Sequence, residues 1–254
     1  MRRSRMLAPV RELAAKIHSL PEFQLVPIYT HLNGTQQEQE KWRGVVEKGT
    51  TEVVAVVSNK YSLVQMREVF SSVLEEVASQ MGVEGDLLYH RGRGLLFLFP
   101  LGEEVGICVR NSVDTSSAIA VNFVLREGGI FLHAPAREWR RIHVGDPLTE
   151  LGGYAKILAE AKDAWVGVVY TLSRLPLTAD LLREIRDAVG EVKYLREKVE
   201  DFASNGSLAP RSAWDLLLAL CKEAAGRRYS TPLHREERLR ELSTLLITLF
   251  MRAM

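Results

Sequence analysis

The sequence predicts an α+β fold, in which an antiparallel β-meander with a packed helix is followed by an all-helical C-terminal part. Three observations predict it. Apolar residues recur at helical spacing over residues 66–81. Short apolar runs separated by glycine-containing turns follow between residues 86 and 133, and only helical patterns occur from residue 146 onward. We therefore predict an α+β domain over residues 1–145 and a helical subdomain over residues 146–254.

The first elements are a helix and two strands. Helical spacing of apolar residues predicts a helix over residues 9–20, which ends before Pro21. Residues 24–30 and 51–57 are rich in β-branched side chains and are bounded by Asn-Gly or Lys-Gly, which predicts strands. The polar stretch at residues 35–42, TQQEQEKW, is interpreted as a loop or turn.

A longer helix and the meander follow. Met66, Val69, Phe70 and Val73 begin an apolar face that continues to residue 81, and Gly82 stops the helix. Turn residues then divide the chain into short strands, a spacing typical of an antiparallel meander. The predicted strands cover residues 86–91, 95–99, 105–110, 118–125 and 130–133.

Capping patterns mark the helices of the C-terminal part. Asp146-Pro147 and Thr231-Pro232 each place an N-cap residue before a proline at the first helical position. Thr178 caps another predicted helix, and residues 212–215 resemble a capping box. Residues 205–210 are interpreted as a loop between helices.

Composition excludes several classes of protein. The 254 residues carry 33 Lys plus Arg and 32 Asp plus Glu, so a net charge of +1 excludes a strongly polybasic or acidic tail. No run of about 18 apolar residues predicts a membrane helix, and we expect no membrane association. The basic start lacks the apolar stretch of a signal peptide. With only two cysteines, Cys108 and Cys221, neither a disulfide scaffold nor a cysteine-rich metal site is expected, and we predict a cytoplasmic protein.

Three segments resemble motifs of a known family. Residues 57–65 are similar to a V-S-x-x-Y-x-x-V-Q pattern before a helix, residues 111–118 to an N-S-x-D-x-S-S-A turn, and residues 212–214 to a T/S-A-W helix start. In this order they resemble the phage/plasmid-like protein family, a group of unknown function carried by mobile elements. The cysteine and asparagine that many members carry after the meander are absent from residues 130–135. The predicted layout is also similar to that of phage single-strand annealing proteins.

The strongest candidate for binding is the basic segment at the junction of the two parts. Arg137, Arg140 and Arg141 can neutralise phosphates, and Trp139 among them can stack on a base. The alternative is an exposed basic turn whose Trp139 packs on the first long helix. A second candidate is Arg91 and Arg93, whose flanking glycines allow close approach of a ligand, although an ordinary hairpin with solvated arginines explains them too.

Two further candidates lie at turns. Lys60 and Tyr61 precede a helix N-terminus, which favours an anion, although Tyr61 also fits a core position. Arg110 and Asn111, with Asp114, form a polar patch that suits a ligand or a metal ion. Ordinary Asx-turn chemistry explains this patch equally well.

No pattern of an enzyme is present. His90, His133 and His143 have no spacing that forms a ligand pair, as an HExxH motif would. Cys108 lies in an apolar strand pattern that does not suit a nucleophile. We therefore predict no catalytic residue, no metal site and no cofactor.

These observations lead to one functional hypothesis and its alternatives. We expect a non-enzymatic nucleic-acid-binding protein of a virus or plasmid, which self-associates and binds or anneals single-stranded DNA through arginines gathered on one face. The alternative is a structural or protein-interaction module that docks through its helical part. A hydrolase or nuclease without a recognisable motif is the third reading.

Overall fold

The computed structural model describes residues 8–114, 118–141, 152–204 and 210–254, with an α+β fold as predicted. The chain divides into two compact units. Unit 1 comprises Met1–Val121 and Glu138–Ala159, and unit 2 comprises Asn122–Arg137 and Glu160–Met254. The predicted boundary near residue 145 lies outside the described residues, as do the predicted cap at Asp146-Pro147 and most of the predicted loop at 205–210.

A three-stranded antiparallel sheet, in the order β1-β2-β3, follows the first helix. The elements are α1 (Ala8–His18), β1 (Phe23–Leu32), β2 (Thr35–Glu47) and β3 (Val53–Ser58). The interpretation of residues 35–42 as a loop is wrong, because they form the first part of β2. Asn33 and Gly34 both have positive φ angles, 51° and 77°, and this two-residue turn directs the chain back along β1.

The meander is a second antiparallel sheet, preceded by the predicted helix. The elements are α2 (Met66–Gln80), β4 (Val83–His90), β5 (Arg93–Pro100), β6 (Val105–Ser112), β7 (Ile119–Glu127) and β8 (Ile130–Arg141). The strand order follows the chain, β4-β5-β6-β7-β8, which confirms the predicted meander. The last strand is longer than predicted, because it continues past His133 to Arg141.

Glycines allow α1 and α2 to pack closely on one face of β4 and β5. A Cβ at Gly94 would lie 2.7 Å from Cε2 of Phe70 and 3.0 Å from Sδ of Met66, so the α2 side chains rest directly on the β5 backbone. A Cβ at Gly85 would lie 3.0 Å from Cδ2 of Leu13 on α1. The core of unit 1 therefore depends on small residues where helix and strand meet.

Helices form most of unit 2, and three of them begin at caps that the sequence predicts. They are α3 (Tyr154–Arg174), α4 (Ala179–Ala188), α5 (Lys193–Ser204), α6 (Ala213–Ala225) and α7 (Pro232–Arg252). The side chains of Thr178, Ser212 and Thr231 accept hydrogen bonds from backbone N–H groups in the first turns of α4, α6 and α7. Among the described residues, no helix is both long and apolar enough to cross a membrane.

Candidate functional site

The predicted binding residues belong to three parts of unit 1 and to β8. Lys60 and Tyr61 lie in the connection between β3 and α2, as predicted. The β4–β5 hairpin carries Arg91 and Arg93, and β6 ends with Arg110, Asn111 and Ser112. The remaining four lie in the second half of β8, where the backbone is a strand rather than the turn of the alternative interpretation, and their side chains are outside the described part. These four are Arg137, Trp139, Arg140 and Arg141.

Backbone groups next to the end of β6 bring the first three parts together. The Tyr61 hydroxyl donates a hydrogen bond to the backbone oxygen of Val113 at 3.4 Å. The Val113 N–H donates to the backbone oxygen of Gly92, at the tip of the β4–β5 hairpin, at 2.8 Å. Segments that lie 21 and 52 residues before Val113 in the sequence therefore meet around this one residue. These segments carry five polar side chains, which we call the Val113 cluster: Lys60, Tyr61, Arg91, Arg93 and Asp114.

The tip of the β4–β5 hairpin packs against Val113 because it is a tight turn. Arg91 and Gly92 have positive φ angles of 43° and 80°, which produce a two-residue turn between β4 and β5. A Cβ at Gly92 would lie only 2.8 Å from Cγ2 of Val113. The Gly92 N–H donates to the Tyr89 hydroxyl at 3.1 Å, which fixes the turn on the strand before it. Glycine is therefore required here both by the backbone angle and by the closeness of Val113.

One arginine of the cluster is bound to a carboxylate. The Nε of Arg93 donates to Oδ2 of Asp114 at 2.7 Å. The Asp114 side chain is 12% exposed, whereas that of Arg93 is 44% exposed, so the carboxylate is the more buried partner of this ion pair. Burial raises the pKa of Tyr61 above its usual range, and the Asp114 charge raises it further, so this hydroxyl stays protonated. Arg93 and Tyr61 therefore hold the three parts together.

Lys60 and Arg91 differ from Arg93 in their surroundings. Both side chains are exposed, and among the described residues neither forms an ion pair. Arg110 is half-buried on β6, opposite Leu95 of β5. Lys60 and Arg91 are therefore the cations of the cluster that a ligand in solution can reach most readily.

Asn111 is an internal residue of this region. Its side chain is 1% exposed, and its Nδ2 donates to the backbone oxygen of Val64 at 3.4 Å. Its Oδ1 has no hydrogen-bond partner among the described residues. The amide therefore joins β6 to the segment that leads into α2, and it is not part of the exposed surface.

Two residues position the cluster: Gln65 was not among the predicted residues, and Asp114 was predicted only as part of a polar patch with Arg110 and Asn111. Gln65 forms a reciprocal pair with the backbone of Phe23: its Oε1 accepts from the Phe23 N–H at 3.0 Å, and its Nε2 donates to the Phe23 oxygen at 2.9 Å. Asp114 holds Arg93, as described above. Both belong to the motifs at residues 57–65 and 111–118, which contact each other here, so the motifs themselves were the signal.

No metal-binding or nucleophilic centre accompanies this cluster in the described residues. Among them, no three His, Cys, Asp or Glu side chains are placed to hold a metal ion, and His143 is outside them. Both cysteines are buried, and burial raises the pKa of the Cys221 thiol to about 12.

Comparisons with other proteins give no relative of this chain. No protein-family model, no curated protein and no solved structure matches it. The resemblance to the phage/plasmid-like family therefore stays a prediction from the three motifs.

Unit 2 carries a second surface that can receive a ligand or partner. A groove of about 430 Å³ lies between the α4–α5 connection and α7. Val192 and Leu245 expose apolar surface there, and Tyr194 and Tyr229 also line it. Its charged rim includes Arg238 and Glu241, which are bound to each other at 2.8 Å.

Proposed function

We propose that this chain is a nucleic-acid-binding protein that binds single-stranded DNA through the Val113 cluster, without catalysing a reaction. The three motifs add the proposal that it serves a virus or plasmid. The observation that carries the proposal is the meeting of the β3–α2 connection, the β4–β5 hairpin and the end of β6, which gathers three cations and one carboxylate in one place.

The distribution of charge supports a phosphate-binding role. A chain with a net charge near zero binds a polyanion only where its cations are concentrated. Lys60 and Arg91 are exposed at the cluster, where a phosphate in solution can reach them, whereas Gly92 between the arginines is buried against Val113. Arg93 adds a third positive charge to the cluster, and its hydrogen bond to Asp114 fixes the position of the guanidinium.

A salt titration tests this proposal. Fluorescence anisotropy with a labelled single strand should give an affinity that falls with ionic strength. In the double variant Lys60→Ala, Arg91→Ala, two phosphate contacts are lost, so the slope of log affinity against log salt should decrease by about 1.4. The matched control is Arg196→Ala, Arg228→Ala, which removes two exposed arginines of unit 2 and should leave the slope unchanged. Absence of binding by the wild type at low salt would overturn the proposal.

The β8 residues provide a separate arm of the same experiment. Arg140 and Arg141 lie on a strand, and the sequence predicts that they contact phosphates beside Trp139. We expect the charge-reversed pair Arg140→Glu, Arg141→Glu to abolish binding. If binding survives this change but not the change at Lys60 and Arg91, the Val113 cluster alone is the site.

The groove of unit 2 favours the second candidate function, a protein-interaction module. Its volume of about 430 Å³ and its apolar lining suit the side chains of a partner protein. This function predicts assemblies that are indifferent to DNA. Size-exclusion chromatography with light scattering, with and without a single strand, separates the two candidates, because only the first predicts a DNA-dependent mass.

A further inference from the structure

The two edge strands of the three-stranded sheet differ in how well they are protected against pairing with a further strand. Edge strand β1 contains Pro27, and its pairing with β2 shifts in register between Pro27 and Tyr29. Proline and irregular pairing are common devices that prevent an edge from recruiting another strand. Edge strand β3 contains neither proline nor a charged residue. Its register shift lies at the Val53 end, so residues 55–58 pair regularly with β2.

Apolar side chains are exposed along this unprotected edge. Val53 is 53% exposed and Val56 is 56% exposed. Among the described residues, no strand pairs with the outer side of β3. An uncharged, β-branched edge of this kind is prone to pair with another chain, and natural proteins rarely leave one unprotected.

The apolar surface continues from this edge across the sheet. Gly44 on β2 pairs with Val56, and Trp42, two residues before it, is 48% exposed. A Cβ at Gly44 would lie 3.2 Å from Cγ2 of Val26 and 3.7 Å from Cγ1 of Val53, so these valines meet over the glycine. The face of the sheet over Gly44 is therefore apolar next to β3.

We propose that β3 pairs edge to edge and antiparallel with β3 of a second copy of this chain, joining the two sheets. Residues 53–57 read Val-Val-Ala-Val-Val, which is the same in both directions, so each copy offers the other the same side chains. Antiparallel pairing also places the start of one strand beside the end of the other.

Charges at the two ends of β3 favour this antiparallel arrangement. Glu52 precedes the strand and Lys60 follows it, and both are exposed. Antiparallel pairing brings Glu52 of each copy towards Lys60 of the other, because the two residues flank opposite ends of the strand. Parallel pairing would instead set like charges side by side. Two symmetric ion pairs therefore flank an apolar centre.

Oligomeric state in the absence of DNA tests the proposal. Light scattering over a wide range of concentration should show a species of twice the monomer mass of 28.6 kDa. Val56→Lys should yield a monomer, because it places a charge on the pairing edge. Leu101→Lys, at an exposed apolar residue after β5, is the control and should remain a dimer. A wild type that is monomeric at every concentration would overturn the proposal.

A charge exchange keeps the proposal testable even if Val56→Lys fails to fold. Glu52→Lys alone and Lys60→Glu alone should each weaken the dimer about tenfold, since two ion pairs become repulsive. The double variant Glu52→Lys, Lys60→Glu should restore wild-type dimerisation, because each pair is re-formed with its signs exchanged. A double variant as weak as the single variants would contradict the antiparallel arrangement.

This inference does not depend on the proposed function, and the two can fail separately. Lys60 belongs to both, and an ammonium group has three donors, which allows it to contact a carboxylate and a phosphate together. The double charge exchange therefore restores the dimer while it weakens DNA binding. Failure of DNA binding leaves the light-scattering result unaffected.

Discussion

Neutralising Asp114 should make the protein less stable and a better DNA binder. The Asp114 carboxylate binds Nε of Arg93 at 2.7 Å and joins the β4–β5 hairpin to the end of β6. A hydrogen bond between charged groups contributes about 1.5–3 kcal/mol, and because the Arg93 side chain is 44% exposed, solvent screening reduces this to about 1 kcal/mol. In Asp114→Asn we therefore expect the melting temperature to fall by about 2–4 °C.

Affinity for DNA should change in the opposite direction. With the carboxylate neutral, the net positive charge of the Val113 cluster increases by one. One additional unit of positive charge facing the DNA steepens the salt dependence by about 0.7, which at about 50 mM salt corresponds to roughly eightfold tighter binding. Anisotropy with a labelled single strand and thermal unfolding, carried out on the same preparation, measure the two effects.

The matched control for this change is Asp180→Asn. It removes the same charge from another arginine–aspartate pair, Asp180 and Arg183 of α4, which is highly exposed and lies in unit 2. This variant should leave the DNA affinity unchanged. If Asp114→Asn binds DNA no better than wild type, the reasoning that the Val113 cluster contacts phosphate is refuted.

Three further predictions concern stability and reactivity. Burial raises the pKa of Glu236 from 4.5 to about 7. The folded chain therefore keeps a proton that the unfolded chain has lost, and stability falls as pH rises through this interval. The free energy of unfolding of Glu236→Gln minus that of wild type should therefore increase by about 2–3 kcal/mol from about pH 5 to about pH 8, as measured by urea titration. A difference that does not change with pH would contradict this prediction. Ser212→Ala removes the acceptor of the Asp215 N–H and should cost about 1 kcal/mol, whereas Ser204→Ala, at an exposed serine of α5, should have little effect in the same titration. Iodoacetamide at neutral pH should label neither Cys108 nor Cys221 until the protein is unfolded, because both thiols are buried and the pKa of Cys221 is about 12. Rapid labelling of the folded protein would show that the thiols are accessible to solvent.

Local sequence patterns were sufficient to predict the helices and strands that bury one face. The apolar spacing from Met66 onward predicted α2, and Thr178, Ser212 and Thr231 marked the starts of three helices. The first part of β2 was missed because both of its faces are exposed, so its sequence shows no alternation. Only the Asn33-Gly34 turn indicated that a second strand returns along β1.

The sequence predicted which residues belong to the candidate site, but not which of their side chains bind each other. The sequence singled out Lys60, Tyr61, Arg91 and Arg93, and the structure places them around Val113. Which arginine binds Asp114 depends on the register of β5 with β6, where Arg93 faces Ser112. Register is set by long-range packing, and a shift of one residue would have turned a different side chain towards the carboxylate.

The division of the chain into discontinuous units has a consequence for its synthesis. The polypeptide passes from one unit to the other three times, after Val121, Arg137 and Ala159. A growing chain on the ribosome therefore cannot complete unit 1 until Ala159 has emerged. At that point residues 122–137 of unit 2 have been synthesised, but residues 160–254, on which they pack, have not. A single proteolytic cut cannot release either unit intact, because each unit consists of two segments that are separated in sequence by a segment of the other.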